Sequence, residues 1–363
     1  MYFDVADECV VPDVMHDVLE GYLPYTTKLM LNYFISTRLF SNDDINSLMS
    51  NFDYGFEAIS IPSPLTSTIL QSADKTRLGQ TTSQMWTLGR MLPVMIGHFI
   101  PQDDEHWVHY IQLLDIVDLI FAPTVNPETP GYLEVLIEEN LEQFVTLYRE
   151  SVLPKMHFLI HVPRLLARLG PLVRYWTMRY EAKHQYFKSL ATHMGNFINV
   201  TFSLAMRQQS YQCYVLNSDS GFCFKSQIIG KGENITVQAT NFKDQLSSYS
   251  LTEHDMVFCT QTAEVSGVKL KTGVAVVLSA EDKSHAKFGI VKNLFVVDNE
   301  LILALHALEI LEYSVHHHSW IVEESDRRSV MSAKSIPSRQ VLTLRPIRDT
   351  FLKQFFVTLK YSL

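Results

Sequence analysis

Two histidines one helical turn apart, His157 and His161, stand in the stretch PKMHFLIHVPRLLARLGPLVRYWTMRYEAKHQYFK, and its single acid, Glu181, follows twenty residues after the second. A second cluster lies far upstream, Asp13 and His16 in PDVMHDVLEG. Imidazoles at i and i+4 of a helix can reach one ion, as can a carboxylate and an imidazole at i and i+3. Brought together, three imidazoles and a carboxylate form a tetrahedral N/O set that suits Zn²⁺. Four protein ligands leave no open position, so such a site would be structural, tying helix 12–23 to helix 154–163. Cys9 is a spare ligand. Taken alone, such a pair stands more often on a helix surface or in a core than at a metal.

Glu181 suggests a different chemistry. On a helix, Glu181, His184 and Lys188 share a face, with Arg174, Arg179 and Lys183 beside it. One reading is a carboxylate that holds Mg²⁺ among bases that grip phosphates. The other is a helix held by Glu–Lys and Glu–His pairs, each worth about 0.2–0.5 kcal/mol. Two-metal phosphoryl transfer needs several carboxylates around ions about 3.5–4 Å apart. The partners of Glu181 would be Asp13, Asp17 and Glu20, or lie outside this chain. No glycine-rich phosphate loop occurs, and no Ser or Cys nucleophile has a matching base. His316-His317-His318, read as part of a strand, puts alternate rings on opposite faces and suggests an exposed edge.

The charge pattern frames both readings. The net charge of −9 is the sum of about −16 over residues 1–150, +7 over 151–215 and 0 over 216–363. A basic block with one acid is a candidate polyanion surface, unless the acidic first part neutralises it in the fold. A composition 47% apolar and 19% charged is that of a globular chain, and 363 residues suggest two domains. No basic and apolar leader opens the sequence, and no apolar run is long enough to span a bilayer. The expected location is nuclear or cytoplasmic. The four cysteines, Cys9, Cys213, Cys223 and Cys259, show no CxxC spacing and are expected as free thiols.

The elements that must position these residues are mostly helices. Pro12, with Asp13, Asp17 and Glu20 following, starts a helix with an apolar stripe at Met15, Leu19 and Leu23. Pro24 should break it, with a second helix running from Tyr25 to about Phe40. Asp13, His16, Asp17 and Glu20 would share its outer face. Further helices are expected at 41–49, 81–99, 103–120, 131–151, 154–169 (interrupted at Pro163), 172–193 and 197–213, with a loop over 51–64. Near residue 217 the texture changes to short β-branched runs between turn signals, such as ENITVQA, VAVVLSA and FGIVKNLFVVD. The expected fold class is therefore α+β: a mostly helical domain over 1–215 and a β-rich domain over 220–363.

Four blocks in order, PDVMHDVLEG, SQMWTLGRMLPVMIG, the 154–188 stretch and LAMRQQ, resemble the C-terminal half of the catalytic region of CACTA (En/Spm) superfamily transposases, over roughly residues 10–210. The resemblance implies an RNase H-like core with a D, D, E triad and a helical insertion before the glutamate. The insertion of that family carries a C/D-x2-H motif early and a histidine pair late. The distantly related recombinase of vertebrate antigen-receptor rearrangement holds zinc at equivalent positions. Asp13 and His16 then match the early motif, His157 and His161 the late pair, and Glu181 the triad glutamate. The two catalytic aspartates and the DNA-binding region should precede Asp13, where Asp4 and Asp7 stand in no strand-like context. The implied protein is a truncated or domesticated transposase that binds DNA or chromatin without transposition. The alternatives are an interaction module stabilised by zinc, or part of a Mg²⁺-dependent nuclease completed by other sequence. With no sheet beneath it, the face of helix 172–190 near Trp176, Tyr180 and Phe187 should lie open to a protein partner or be covered by the β-rich tail.

Overall fold

The computed structural model describes residues 11–195, 197–218, 227–279, 286–347 and 353–362. Asp4, Asp7, Cys9 and Cys223 lie outside them, so nothing more is said of those expectations. The N-terminal part is helical and the C-terminal part is a curled sheet.

The first helix departs from expectation. It runs unbroken through Pro24: a π-helical segment, Met15–Tyr22, continues directly as α1, Leu23–Ser36. A proline removes the N–H that would bond the carbonyl four residues back, here that of Glu20. Lys155 supplies the missing donor, its Nζ bonding the Glu20 carbonyl at 2.9 Å. The π-turns also change which residues share a face. Met15, Leu19 and Leu23 are buried as the stripe requires, but Asp17 is buried too, while His16 and Glu20 stay half-exposed. Burial raises the Asp17 carboxyl to about 6, against the opposing pull of Lys155.

Then follow α2, Asn42–Asn51; α3, Ser67–Leu70; α4, Thr82–Ile96; α5, Glu105–Ile120; and α6, Thr129–Tyr148. The capping chemistry is local: Ser41 with Asp44 and Thr81 with Gln84 form capping boxes, and Asp104 accepts from the amides of His106 and Trp107. Residues 55–60, expected as loop, form a 3₁₀ turn. Pro163 does not interrupt a helix. It lies in the first turn of α8, Val162–Leu169, after a short α7, Pro154–His157, and a 3₁₀ turn, Phe158–His161. The hairpin α9, Met178–Met194, and α10, Val200–Leu216, completes the helical part.

One core joins the π-segment, α1, α4, α5 and α6 around Trp107, Tyr110, Phe34 and Phe144. A polar network is buried inside it. Tyr22 donates to Asn140 Oδ1 at 2.6 Å, Asn140 Nδ2 donates to the His109 carbonyl at 3.1 Å, and His109 Nε2 meets the Asn140 carbonyl at 3.0 Å. Such a network fixes the helices' mutual register because any shift would orphan a buried group.

The C-terminal part is antiparallel. Its strands are β1, Gln227–Ile229; β2, Gly232–Thr236; β3, Met256–Thr260; β4, Thr262–Val265; β5, Val268–Lys271; β6, Ala275–Ser279; β7, Lys287–Val297; β8, Glu300–Ser314; β9, Ser319–Ser332; β10, Val341–Leu342; β11, Arg345–Pro346; and β12, Gln354–Val357, with a one-turn helix α11 at Lys243–Leu246. The main sheet runs β10-β6-β7-β8-β9-β12-β11, and β1-β4-β5 forms a second small sheet. β6 pairs with the first half of β7 and β3 with the second, with a bulge between Val291 and Asn293. Two more bulges bend β8 against β9. Bulges increase local twist, which is how these long strands curl.

His316-His317-His318 is not an exposed strand edge. It forms the turn between β8 and β9, and that turn docks on the helices. Trp107 Nε1 donates to the His316 carbonyl at 3.1 Å, His316 Nε2 meets the Gly97 carbonyl at 2.8 Å, and buried His318 lies 3.3 Å from Asp115 and 3.6 Å from Asp118. A turn residue carries no face alternation, so three adjacent rings can point at one surface.

Candidate functional site

Four of the residues singled out in the sequence, Asp13, His16, Glu20 and Glu181, meet at the foot of α9. Asp13 precedes the π-segment and reaches Thr177, the residue before α9. Asp13 Oδ1 accepts from the Thr177 amide at 3.1 Å and from the Met15 amide at 3.3 Å. Asp13 Oδ2 accepts from the Thr177 hydroxyl and pairs with His16 Nδ1. The carboxylate thus sits at the positive end of α9, where helix dipole and free amide both favour it. The Thr177 hydroxyl, which would ordinarily cap its own helix, is turned outward to Asp13 instead.

With Nδ1 held by Asp13, His16 presents Nε2 to two more carboxylates, Glu181 Oε1 at 3.3 Å and Glu20 Oε2 at 3.7 Å. Glu20 is itself fixed by the Thr82 hydroxyl from α4. Burial alone would lower the His16 pKa, but the bond to Asp13 and the charges of Asp13, Glu20 and Glu181 outweigh it and raise the pKa. Burial would likewise raise Asp13, and its bonds from Thr177, His16 and Met15 bring it below the ordinary carboxylate range. The arrangement is an imidazole, inclined to be cationic, clasped by three carboxylates from two segments more than 150 residues apart.

His157 and His161 stand apart from this cluster. Their rings are edge-to-face at 5.5 Å, and both side chains are exposed. Among the described residues no group of three or more His, Cys, Asp or Glu side chains is disposed to hold an ion. Of the four ligands expected for Zn²⁺, Asp13 and His16 are in contact, His157 and His161 are in contact, and both Asp13 oxygens are bonded within the chain, to Thr177, Met15 and His16. Thr177 is the partner that spacing did not single out. Thr177 had a signal, a threonine just ahead of a helix, but its target 164 residues away had none.

The basic block is open. Arg174, Arg179, His184 and Lys188 are exposed and Lys183 is half-buried, its Nζ 4.3 Å from the centre of the Tyr186 ring. None of the five makes an ion pair with a carboxylate among the described residues, so the acidic first part does not neutralise them there. The apolar face divides. Trp176 is 8% exposed and packs on Trp86 and Phe121, whereas Tyr180 is 68% exposed. The tail reaches the same cluster through Tyr361, whose ring lies 5.3 Å from Trp86.

No family model, curated protein or solved structure matches this chain.

Among the described residues no helix is long and apolar enough to cross a membrane. Cys213 and Cys259 are unpaired, the first exposed and the second half-buried with its thiol pKa raised by that burial.

Proposed function

We propose that this chain is a transposon-derived protein that binds duplex DNA along α9 and does not itself cut or join strands. One observation carries the reading: Arg174, Arg179, Lys183 and Lys188 stand on one helix and its approach with no counter-carboxylate among the described residues, in a chain of net charge −9. A cluster of unpaired cations on an otherwise acidic protein is an electrostatic footprint for a polyanion. The likeness to CACTA-type transposases rests on the four sequence blocks, and its early motif, Asp13 and His16, lies beside its triad glutamate, Glu181. The reading without strand chemistry is supported by His16, whose Nε2 faces both Glu181 and Glu20 where a divalent ion would have to sit.

The test is an electrophoretic mobility shift with duplex DNA over a salt series. Binding should weaken with a log–log slope of about −3 to −4, near −0.9 per phosphate contact. Replacing Arg179 and Lys183 together by Ala should reduce that slope by about 2. No binding at low salt rejects the proposal, and Mg²⁺-dependent strand transfer that disappears in Glu181→Gln rejects its second half. A protein-docking role is the second reading, favoured by the exposed Phe202, Met206, Tyr211, Tyr214 and Leu216 of α10.

A further inference from the structure

A cleft of about 1180 Å³ lies between the helical part and the curled sheet, reaching the start of α9 at Arg179. Its lining contains six cations and, among the described residues, a single carboxylate, Glu57. Two of the cations are arginines withdrawn from water, Arg90 in α4 at 3% exposure and Arg345 in β11 at 5%. Lys360 stands beside them, and Arg179, Lys269 and Arg339 are exposed around the opening.

The pairing inside is incomplete. Arg90 Nη2 bonds Glu57 Oε1 and Nη1 reaches the Leu359 carbonyl at 3.4 Å, but Arg90 Nε is buried with no acceptor. Arg345 donates only to main-chain oxygens, Nε to Asp53 at 3.2 Å and Nη1 to Thr343 at 3.5 Å. The Lys360 ammonium lies over the Trp86 ring at 5.0 Å, and Arg90 faces the same ring at 5.4 Å. Glu57 thus serves two buried guanidinia and an ammonium, with Asp53 as a further carboxylate felt by Arg345. A buried charge without a counter-charge costs several kcal/mol in most proteins. The cations also feel one another: burial first, then the charge of Arg90, lowers the Lys360 pKa, and burial with the same neighbour pushes Arg345 down to about 10.

We infer that this cleft is a binding site for a small organic di- or triphosphate, held by Arg90, Arg345 and Lys360. Guanidinium forks match phosphate oxygens two at a time, and a multiply charged anion supplies the missing negative charge at a single location. The volume exceeds the ~300–1000 Å³ usual for small-molecule pockets, leaving room for the organic portion beside the phosphates. The site borders the proposed DNA face, with which it shares Arg179, but Arg90, Arg345 and Lys360 belong to the cleft alone.

The experiment is isothermal titration of the full chain at low salt, without divalent ions, using inorganic pyrophosphate, ATP and sulfate in parallel. Pyrophosphate and ATP should bind one to one, at least tenfold tighter than sulfate. Lys360→Met, a change at the cleft's rim, should weaken both at least tenfold, and Lys188→Met on α9 should leave both unchanged. Arg345→Met should abolish binding, and if that variant fails to fold the Lys360 variant still decides. Equal affinity for sulfate and pyrophosphate, or pyrophosphate binding indifferent to Lys360→Met, overturns the site. So does a loss of duplex DNA binding in Lys360→Met with no saturable pyrophosphate binding, because the cleft would then be part of the nucleic-acid path.

Discussion

Helices α5 and α9 are almost the same length, 16 and 17 residues, and they exist for opposite reasons. α5 is apolar around most of its circumference and buries Trp107, Tyr110, Leu113 and Leu114, among others. α9 buries none of its residues. An isolated helix of that length is marginal in water, so α9 must draw on its two ends. At one end are the aromatic anchor of Trp176 and the Asp13–Thr177–His16 clasp, and at the other Gly195 in the left-handed conformation that closes the last turn. The contrast separates what folds the chain from what the chain offers to others. The core needs its apolar contacts, and the arm keeps its charges and rings free.

Four measurements would break or sharpen that contrast. The largest effect should come from Trp107→Ala, which removes a fully buried ring and the bond to His316: about 3–5 kcal/mol of global stability, read by urea unfolding. The second is acidification. Burial lowers His109 and His317 from 6.5 to about 4, so the unfolded chain takes up these protons first. Their contribution is complete above pH 6.5 and is lost as pH falls towards 4, a change of a few kcal/mol at most (~1–3) that His317→Gln should reduce. His16 has the opposite sign. Its raised pKa gives a contribution present below 6.5 and lost as pH rises through the folded value. Hydrogen exchange should therefore show α9 loosening on the alkaline side and the core on the acid side. Parallel behaviour of the two regions would dissolve the distinction.

The third measurement is local. Thr177→Val removes the hydroxyl bond to Asp13 and should cost about 1–3 kcal/mol, visible as faster exchange in 178–216 with core amides unchanged. The smallest effect is expected from His157→Ala with His161→Ala, within about 0.5 kcal/mol, because both rings are exposed and bonded to nothing described. A drop of several degrees in Tm, with added Zn²⁺ raising the Tm of the unaltered chain but not that of the variant, would instead show that an ion draws these rings towards His16.

The helical part was legible where periodicity and caps acted together. Helices α4, α5 and α6 fall close to 81–99, 103–120 and 131–151, and the change from helix to strand lies between Leu216 and Gln227. What failed was knowledge that only packing provides. Pro24 reads as a break until Lys155, distant in sequence, is seen satisfying the orphaned carbonyl. Asp17 reads as an outer-face acid until the π-turns rotate it inward. The three histidines at 316–318 read as strand because β8 and β9 continue so far on either side that the turn has no Gly or Pro to mark it. For the candidate site, Asp13 and His16 were expected beside His157 and His161, and Glu181 was assigned to a separate triad; the contacts found for Asp13 and His16 are instead with Thr177, Glu20 and Glu181. The cationic cleft left no trace in the sequence, because its members come from segments separated by up to 270 positions.

The π-segment at Met15–Tyr22 carries one further implication. It can be regarded as an ordinary α-helix that has absorbed an extra residue, with the surplus taken up as wider turns. Losing a single residue between His16 and Leu23 would let the wide turns relax, and everything upstream would swing by about 100° around the axis relative to α1. Asp13 would leave the root of the arm, and Glu181 would lose its only close cationic neighbour among the described residues. An indel of one codon, far from the basic helix in sequence, would thus act as a dial on how firmly that helix is held.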